Sequence, residues 1–504
     1  MITAEHRQAT PVAGHWRGRL APRRLGIPRI AWLIALLACI NAAGWSIVTP
    51  PFQVPDEPEH LAYVKQLAET GRLPSKSGSF SLEERLALIY LQLQRVAERP
   101  EQETISTQAE QRQLERALIR GARAPGRGSE FAGVAASEPP LYYALQAIPF
   151  DLGSGTTLLD RLELMRLFSA LFAGLTALFC FLFIREALPS VPWTWTVGAL
   201  SVALAPLLGF MSGAVTPEAM LYAVSAAVFY ALARAFRHGL TRNGALALGA
   251  LTAVGLMTKL NFVGLAPGVL LGMVLLSVRA ARGVGRVAYA WLCLGLAIAV
   301  SPALADLALR AASAQTLDLL SGSLSALHGS PQQIFSYVWE LYLPRLPGMP
   351  SYFAGVFTTR QIWFDRYVGL YGWLDTPFPN WVQNAALIPA LSLIGLCARG
   401  LIIAGGSRLR ARSAELCVYG VIAVGLLTLI GLDSYLVFLN PGFNAEYGQV
   451  RYLLPLLPLL GLALALAARS APRRWAPSVG VAIVVLFLAQ DIFSQLQVVA
   501  RFYG

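Results

Sequence analysis

About eleven apolar runs divide this chain of 504 residues, at roughly 29–49, 160–184, 193–213, 217–235, 243–258, 261–279, 286–310, 383–404, 414–438, 450–468 and 478–498. Most are near the ~20 residues a helix needs to cross a bilayer. Hydrocarbon offers no partner to an exposed peptide group, and a helix satisfies its own. Runs of this length read as spanning helices, and so as an all-α polytopic membrane protein.

Charge supports that reading. The chain is 56% hydrophobic and only 13% charged, with 40 basic residues against 28 acidic ones. The bases are almost all arginine and lie between the apolar runs, which fits positive cytoplasmic loops and not nucleic-acid binding. Arg7, Arg17, Arg19, Arg23, Arg24 and Arg29 precede the first run. Later clusters are Arg234/Arg237/Arg242, Arg279/Arg282/Arg286, Arg408/Arg410/Arg412 and Arg469/Arg473/Arg474. All fall on the cytoplasmic side if the segment 138–150, too short to span, lies along the membrane surface. The run Ile30–Val48 has no small-residue cleavage site and reads as an uncleaved anchor. The five cysteines sit in apolar stretches without metal spacing.

The expected organisation follows. Residues 1–28 form a cytoplasmic tail, 29–310 a transmembrane module including an outer loop at 50–159, 311–382 an aromatic-rich outer loop, and 383–504 the C-terminal helices. The middle of the first loop is polar and helical in pattern, then Gly/Arg-rich.

Several acids and cations gather beside helix ends on the outer side. "PDEPEH" places Asp56, Glu57, Glu59 and His60 just after the first run. Asp56 as an N-cap, Pro58 in the first turn and Glu59 at the capping-box position would be an ordinary helix start. Glu57 and His60, three apart on one face, are not explained by capping. A divalent metal held by Asp56, Glu57 or His60 stays open, although HExxH is absent. "SEPPLYY" brings Glu138 and Tyr142 to the start of the surface helix, with tyrosines suited to the headgroup level. "TPE" at 216–218 offers Thr216 as N-cap and Glu218 in the first turn. Lys259 lies between two apolar runs, as a snorkelling side chain or a phosphate ligand. Arg451 opens a later run, paired with Glu446 or Asp433 or free to grip a phosphate with its planar fork.

In order, "PDEPEH", "EPPLYY", "TPEA", "MTK" and "RYLLPLLP" resemble the motifs of GT-C superfamily glycosyltransferases. Lipid A aminoarabinose transferases and protein O-mannosyltransferases show the same succession, and the likeness covers about 29–310 plus "RYLLP". The resemblance implies an inverting transfer of a sugar from a polyprenyl phosphate to a hydroxyl of a glycan, lipid or protein, at the outer face of a bacterial cytoplasmic membrane. It implies Asp56 as base or acceptor-orienting acid with Glu57 beside it, and Glu138 as an acid lining the donor site. Glu218 stands where aminoarabinose transferases carry an aspartate, and Lys259 near the lipid phosphate. His60, Tyr142 and Arg451 complete the expected substrate-binding set. Pro139 replaces the lysine that follows the acid in aminoarabinose transferases, so phosphate contact would fall to Lys259, Arg451 or a loop arginine. The competing readings are a transporter or flippase of lipid-linked saccharides and a metal-dependent hydrolase. No cofactor is implied beyond the open divalent metal.

Overall fold

A computed structural model describes residues 26–76, 78–97, 99, 101, 108–123, 132–312, 330–353, 358–439 and 449–504. The arginines up to Arg24, the Gly/Arg-rich run 124–131, His328 and Glu446 lie outside the described residues. Among the described residues the architecture is helical, with one hairpin of two-residue strands, β1 Leu370–Tyr371 and β2 Thr376–Pro377, pairing Leu370 with Pro377.

Nine of the described helices are long and apolar enough to cross a membrane, and a bent pair makes a tenth. The first half of the chain supplies α1 (Arg29–Val48), α2 (Glu57–Thr70), α3 (Leu82–Tyr90), α4 (Leu93–Val96), α5 (Gln108–Arg123), α6 (Leu141–Leu152) and α7 (Leu158–Ala187). Next come α8 (Pro192–Ala203), α9 (Pro206–Ser212), α10 (Pro217–His238), α11 (Arg242–Thr258), α12 (Phe262–Val284) and α13 (Val287–Ala312). The remainder holds α14 (Pro331–Tyr342), α15 (Arg366–Gly369), α16 (Asn380–Ala411), α17 (Ser413–Phe438), α18 (Leu457–Ser470) and α19 (Ala476–Tyr503). A 3-10 turn, Val450–Leu456, leads into α18, and the two form one span.

The eleven expected runs all become helical, with two differences. The run at 193–213 is broken: α8 and α9 meet at 53°. Pro206 lacks an N–H and pushes its predecessor out of the helical region, so the helix cannot pass through. The run at 243–258 becomes α11, whose 17 residues rise only about 25 Å, short of the ~30 Å hydrocarbon core.

Small residues let the helices approach closely, as expected where no hydrophobic drive separates protein from lipid. A side chain on Gly198 of α8 would strike the Gly461 carbonyl of α18, and one on Gly249 of α11 would strike Gly295 of α13. Helix α7 lies at the centre, against α1, α8 and α10. The first and last spans are joined by a hydrogen bond in which Trp45 Nε1 donates to Asp491 Oδ1 at 2.9 Å.

The two ends of the bundle differ in chemistry. One end is rich in arginine. There Glu186 meets Arg237 at 2.9 Å and His238 at 3.1 Å, and Arg412 donates to the Ala187 carbonyl at 2.8 Å. The other end carries the loops. Helix α2 packs on α6, and Lys65 ties α2 to α3 through Glu83 at 2.6 Å. The aromatic loop covers part of this end. Tyr337, Leu341, Phe353 and Ile362 pack with Tyr435 of α17, and Trp373 Nε1 donates to the Phe52 carbonyl at 2.9 Å. Arg501 of α19 pairs with Asp375 at 3.1 Å beside the hairpin.

Candidate functional site

The loop end gathers the acids singled out in the sequence: Asp56, Glu57 and Glu59 go to three different partners, and Glu138 and Glu218 share Lys259. The exit of α1 is a tight turn held from below. Arg166, inside the apolar α7, donates to the carbonyls of Ser46, Thr49 and Pro50 at 3.1, 2.8 and 3.1 Å. Its remaining donors take both oxygens of Glu57, Nε to Oε1 at 2.8 Å and Nη2 to Oε2 at 2.6 Å. Glu57 also accepts from the backbone N–H of Phe52 and Val215. It is fully buried, so neither oxygen is free for a substrate. A fork-to-fork pair of this kind fixes geometry as well as charge.

That grip turns the next carboxylate the other way. Asp56 occupies the N-cap position of α2 but sits at φ 66° and makes no capping bond. The capping-box expectation fails here because tertiary partners take both side chains. Asp56 Oδ2 accepts from Arg451 Nη2 at 2.8 Å. Glu59 reaches across to the 3-10 turn Gly133–Ser137, where its Oε2 accepts from Val134 N at 2.8 Å. Burial, reinforced by the nearby Asp56, pushes the Glu59 carboxyl up to about 7.

His60 lies under this turn, buried, with Nδ1 3.0 Å from the Tyr143 hydroxyl. Burial holds it down at about 4, so it is neutral at physiological pH. Tyr142 and Tyr143 do not sit at a headgroup surface. Both are fully buried; Tyr142 bonds Ser169 Oγ at 2.8 Å, and Tyr143 stacks on Tyr63 at 3.6 Å. Packing of α6 onto α2 and α7 turns them inward.

A second charged group adjoins the first. Lys259, just past the end of α11, meets Glu138 Oε1 at 2.9 Å and Glu218 Oε1 at 3.3 Å. Glu138 Oε2 accepts from the Leu260 N–H at 3.0 Å. Glu218 is buried, and its Oε2 has no hydrogen-bond partner among the described residues. Thr216 does not cap α10; its hydroxyl donates to the Met211 carbonyl at 3.2 Å. The snorkelling reading of Lys259 gives way to a cation held between two acids.

Arg451 joins the groups. It is buried, its carbonyl accepts from Tyr222 at 3.1 Å, and its Nε has no partner among the described residues. Beside it lies a small cleft, partly open to solvent, bounded by Pro55, Arg366, Gln449 and the apolar α9. The structure therefore brings Asp56, Arg451, Glu138, Glu218 and Lys259 to one end, and assigns Glu57 and Tyr142 to the scaffold beneath. The trio Asp56, Glu57 and His60 does not converge, and among the described residues no three His, Cys, Asp or Glu side chains are placed to hold a metal.

Two arginines, Arg166 and Arg310, were missed from the sequence, and a third, Arg366, was visible in the aromatic loop but had no role assigned. Arg166 had a signal, since it lies within an apolar run, where charge is expensive. Arg310 of α13 donates to the carbonyls of Ala136 and Glu138 at 3.0 and 2.8 Å and so holds the Glu138 turn. Arg366 lines the cleft; among the many polar residues of the aromatic loop nothing distinguished it.

No curated protein matches the sequence. Residues 39–460 match the family described as a predicted membrane protein, DUF2142. Since the match takes in most of the length and the helices are those of a multi-pass membrane protein, the chain belongs to the DUF2142 family.

Proposed function

We propose that the chain is an inverting glycosyltransferase that moves a sugar from a polyprenyl phosphate to an acceptor hydroxyl. The carrying observation is Asp56: a partly exposed carboxylate held at 2.8 Å by buried Arg451, which with Pro55, the residue before Asp56, lines a cleft with an apolar wall. In this reading Asp56 accepts the acceptor's proton as its oxygen attacks the anomeric carbon. The bond from that carbon to the phosphate oxygen breaks, the configuration inverts, and the polyprenyl phosphate leaves. Arg451 stabilises the charge that develops on the leaving group.

Glu138, Glu218 and Lys259 form the polar wall toward the sugar. Lys259 is already matched by two carboxylates, so it serves to hold them in place. Glu57, Tyr142 and His60 support the wall from behind. No step is routed through a metal, because the three candidate ligands are committed to different partners. The arginine-rich end would face the cytoplasm by the positive-inside rule, which puts the site at the outer face of a bacterial cytoplasmic membrane, in the cell envelope.

The test is to incubate purified protein with a panel of undecaprenyl-phosphate sugars and follow consumption of the donor. Consumption is expected with at least one sugar, and Asp56→Asn should lower it by about 10²- to 10⁴-fold while the protein stays folded. Undiminished transfer by Asp56→Asn would remove Asp56 as the base. Movement of an intact lipid-linked sugar across liposomes, without its consumption, would favour the transporter instead.

A further inference from the structure

Helices α3, α4 and α5 take no part in the reaction proposed for Asp56, yet they stand on the same end of the bundle. Lys65 of α2 meets Glu83 of α3 at 2.6 Å. Arg501 of α19 donates to the carbonyls of Val96 and Arg99 at 3.2 and 2.7 Å, so the last span also grips α4 and the residues after it. Helix α5 completes this cap. Its Leu114, Ala117 and Leu118 are buried, and a side chain on Gly121 would strike the backbone of Glu83.

The outward face of α5 carries a row of cations. Arg112, Arg116 and Arg120 are all exposed and recur every fourth residue, so they stand in line, about 6 Å apart and about 12 Å from first to last. Arg112 and Arg116 turn Nε to the carbonyls of Gln108 and Arg112, one turn back, at 3.2 and 3.1 Å. Among the described residues no carboxylate pairs with any of the three. Glu115, on the neighbouring row, accepts from Gln111 at 3.5 Å instead. By contrast Arg237, Arg360 and Arg412, also exposed, are matched by Glu186, Asp365 and Glu415. Like charges at this spacing work against the helix unless a counter-charge lies across them.

Shape decides which counter-charge fits. An anionic bilayer binds a helix by taking up its apolar face, and the apolar face of α5 is already spent on α3. The row is straight, regular and turned to solvent, so it matches a water-borne chain with repeated anions, each held by a planar guanidinium. Its Arg120 end lies nearer the candidate site. Gly121 adjoins Glu83, and Glu83 holds Lys65. Lys65 stands about 14 Å along α2 from Asp56, at about 1.5 Å per residue.

We propose that Arg112, Arg116 and Arg120 form a docking row for a polyanionic glycan, a chain with a carboxylate or phosphate on its repeating units. The row narrows the acceptor of the transferase reading to an anionic glycan. It rests on that reading only for the word acceptor; the docking itself does not. A chain laid along α5 and past Arg120 would bring its hydroxyls toward Asp56, and the row would set how far the chain has been threaded.

The experiment titrates two probes, polygalacturonate and uncharged dextran of equal length, onto the full-length protein in phosphatidylcholine nanodiscs, with no sugar donor present. Polygalacturonate should bind more tightly than dextran, and less so as salt rises. The variant Arg112→Gln/Arg116→Gln/Arg120→Gln should bind polygalacturonate about tenfold more weakly, three exposed contacts together. Arg279→Gln/Arg282→Gln/Arg286→Gln removes as much charge at the arginine-rich end and should bind it like the unaltered protein. An unchanged melting midpoint shows that the α5 variant is folded; should it melt early, Arg116→Gln alone is used, with a loss of about twofold expected. Equal binding of the two glycans, undiminished binding by the α5 variants, or an equal loss in both triple variants would overturn the row. So would tighter binding of the row to phosphatidylglycerol vesicles than to polygalacturonate, which would hand it to a lipid surface. Polymer binding without transfer on any donor keeps the row and rejects the transferase, whereas transfer without polymer binding does the reverse.

Discussion

Arg166 and Glu57 meet fork to fork, at 2.8 and 2.6 Å, both essentially excluded from solvent. They lie on different helices, 109 residues apart, and their pairing fixes the turn from which Asp56 projects. A neighbour in the chain thus becomes foundation, not chemistry.

Removing one member of that pair leaves the other charge buried and alone. Glu57→Gln and Arg166→Gln should each destabilise the protein by about 3–5 kcal/mol, since truncating one partner of a buried ion pair exposes the full desolvation cost of the other. Thermal unfolding in detergent measures the loss. Activity per folded molecule should fall less than folded yield; the reverse would return Glu57 to the reaction.

Lys259 provides a second case with a different signature. Lys259→Met strands Glu138 and Glu218 near each other, at a cost again on the order of 3–5 kcal/mol. Adding Glu218→Gln to Lys259→Met removes one stranded charge and should recover part of the loss. A double-mutant cycle reads that coupling; strict additivity would mean that the Lys259–Glu218 contact at 3.3 Å carries no energy.

Two groups on α2 give opposite pH dependences. Glu59, raised to about 7 by burial, holds its proton more tightly in the fold than unfolded. Its contribution is complete below its ordinary value of 4.5 and is lost as pH rises through about 7. His60, lowered to about 4, favours the neutral ring in the fold. Its contribution is complete above its ordinary 6.5 and is lost as pH falls through about 4. Where these windows overlap the slopes oppose each other. Glu59→Gln should leave stability rising with pH, and His60→Gln should leave it falling with pH. Melting midpoints taken from pH 4 to pH 8 show whether the slopes separate in this way.

The glycine crossings should resist any side chain. Gly249→Ala and Gly198→Ala each press a methyl group onto the facing backbone, which cannot swing aside. A loss of about 1–3 kcal/mol is expected from overpacking. Gly283, with open space around its Cβ position, is the control, and Gly283→Ala should leave the melting midpoint nearly unchanged.

Much of the scaffold was legible because hydrocarbon enforces it. A run of apolar residues has few alternatives to a helix, and Pro206 within one run was a visible warning of the bend. The residue types of the site were legible too, as acids and cations at the ends of apolar runs. Their pairings were not. Asp56 and Arg451 are 395 residues apart, and no local pattern reports that contact. Local rules even misled: Asp56-x-x-Glu59 has the form of a capping box, yet the pull of Arg451 and the needs of the 133–137 turn outweigh about 1 kcal/mol of capping. Arg366 illustrates the other limit, because its place on the cleft depends on how a long aromatic loop folds back over the helices.

The bond from Trp45 to Asp491 has a consequence for biogenesis. Trp45 is made 446 residues ahead of its partner, which lies in α19. Until α19 is made the indole N–H of α1 awaits its acceptor, although α1 already packs on α7, α8 and α9. Premature termination ahead of α19 would leave α1 seated on α7 with the Trp45 indole N–H lacking its acceptor.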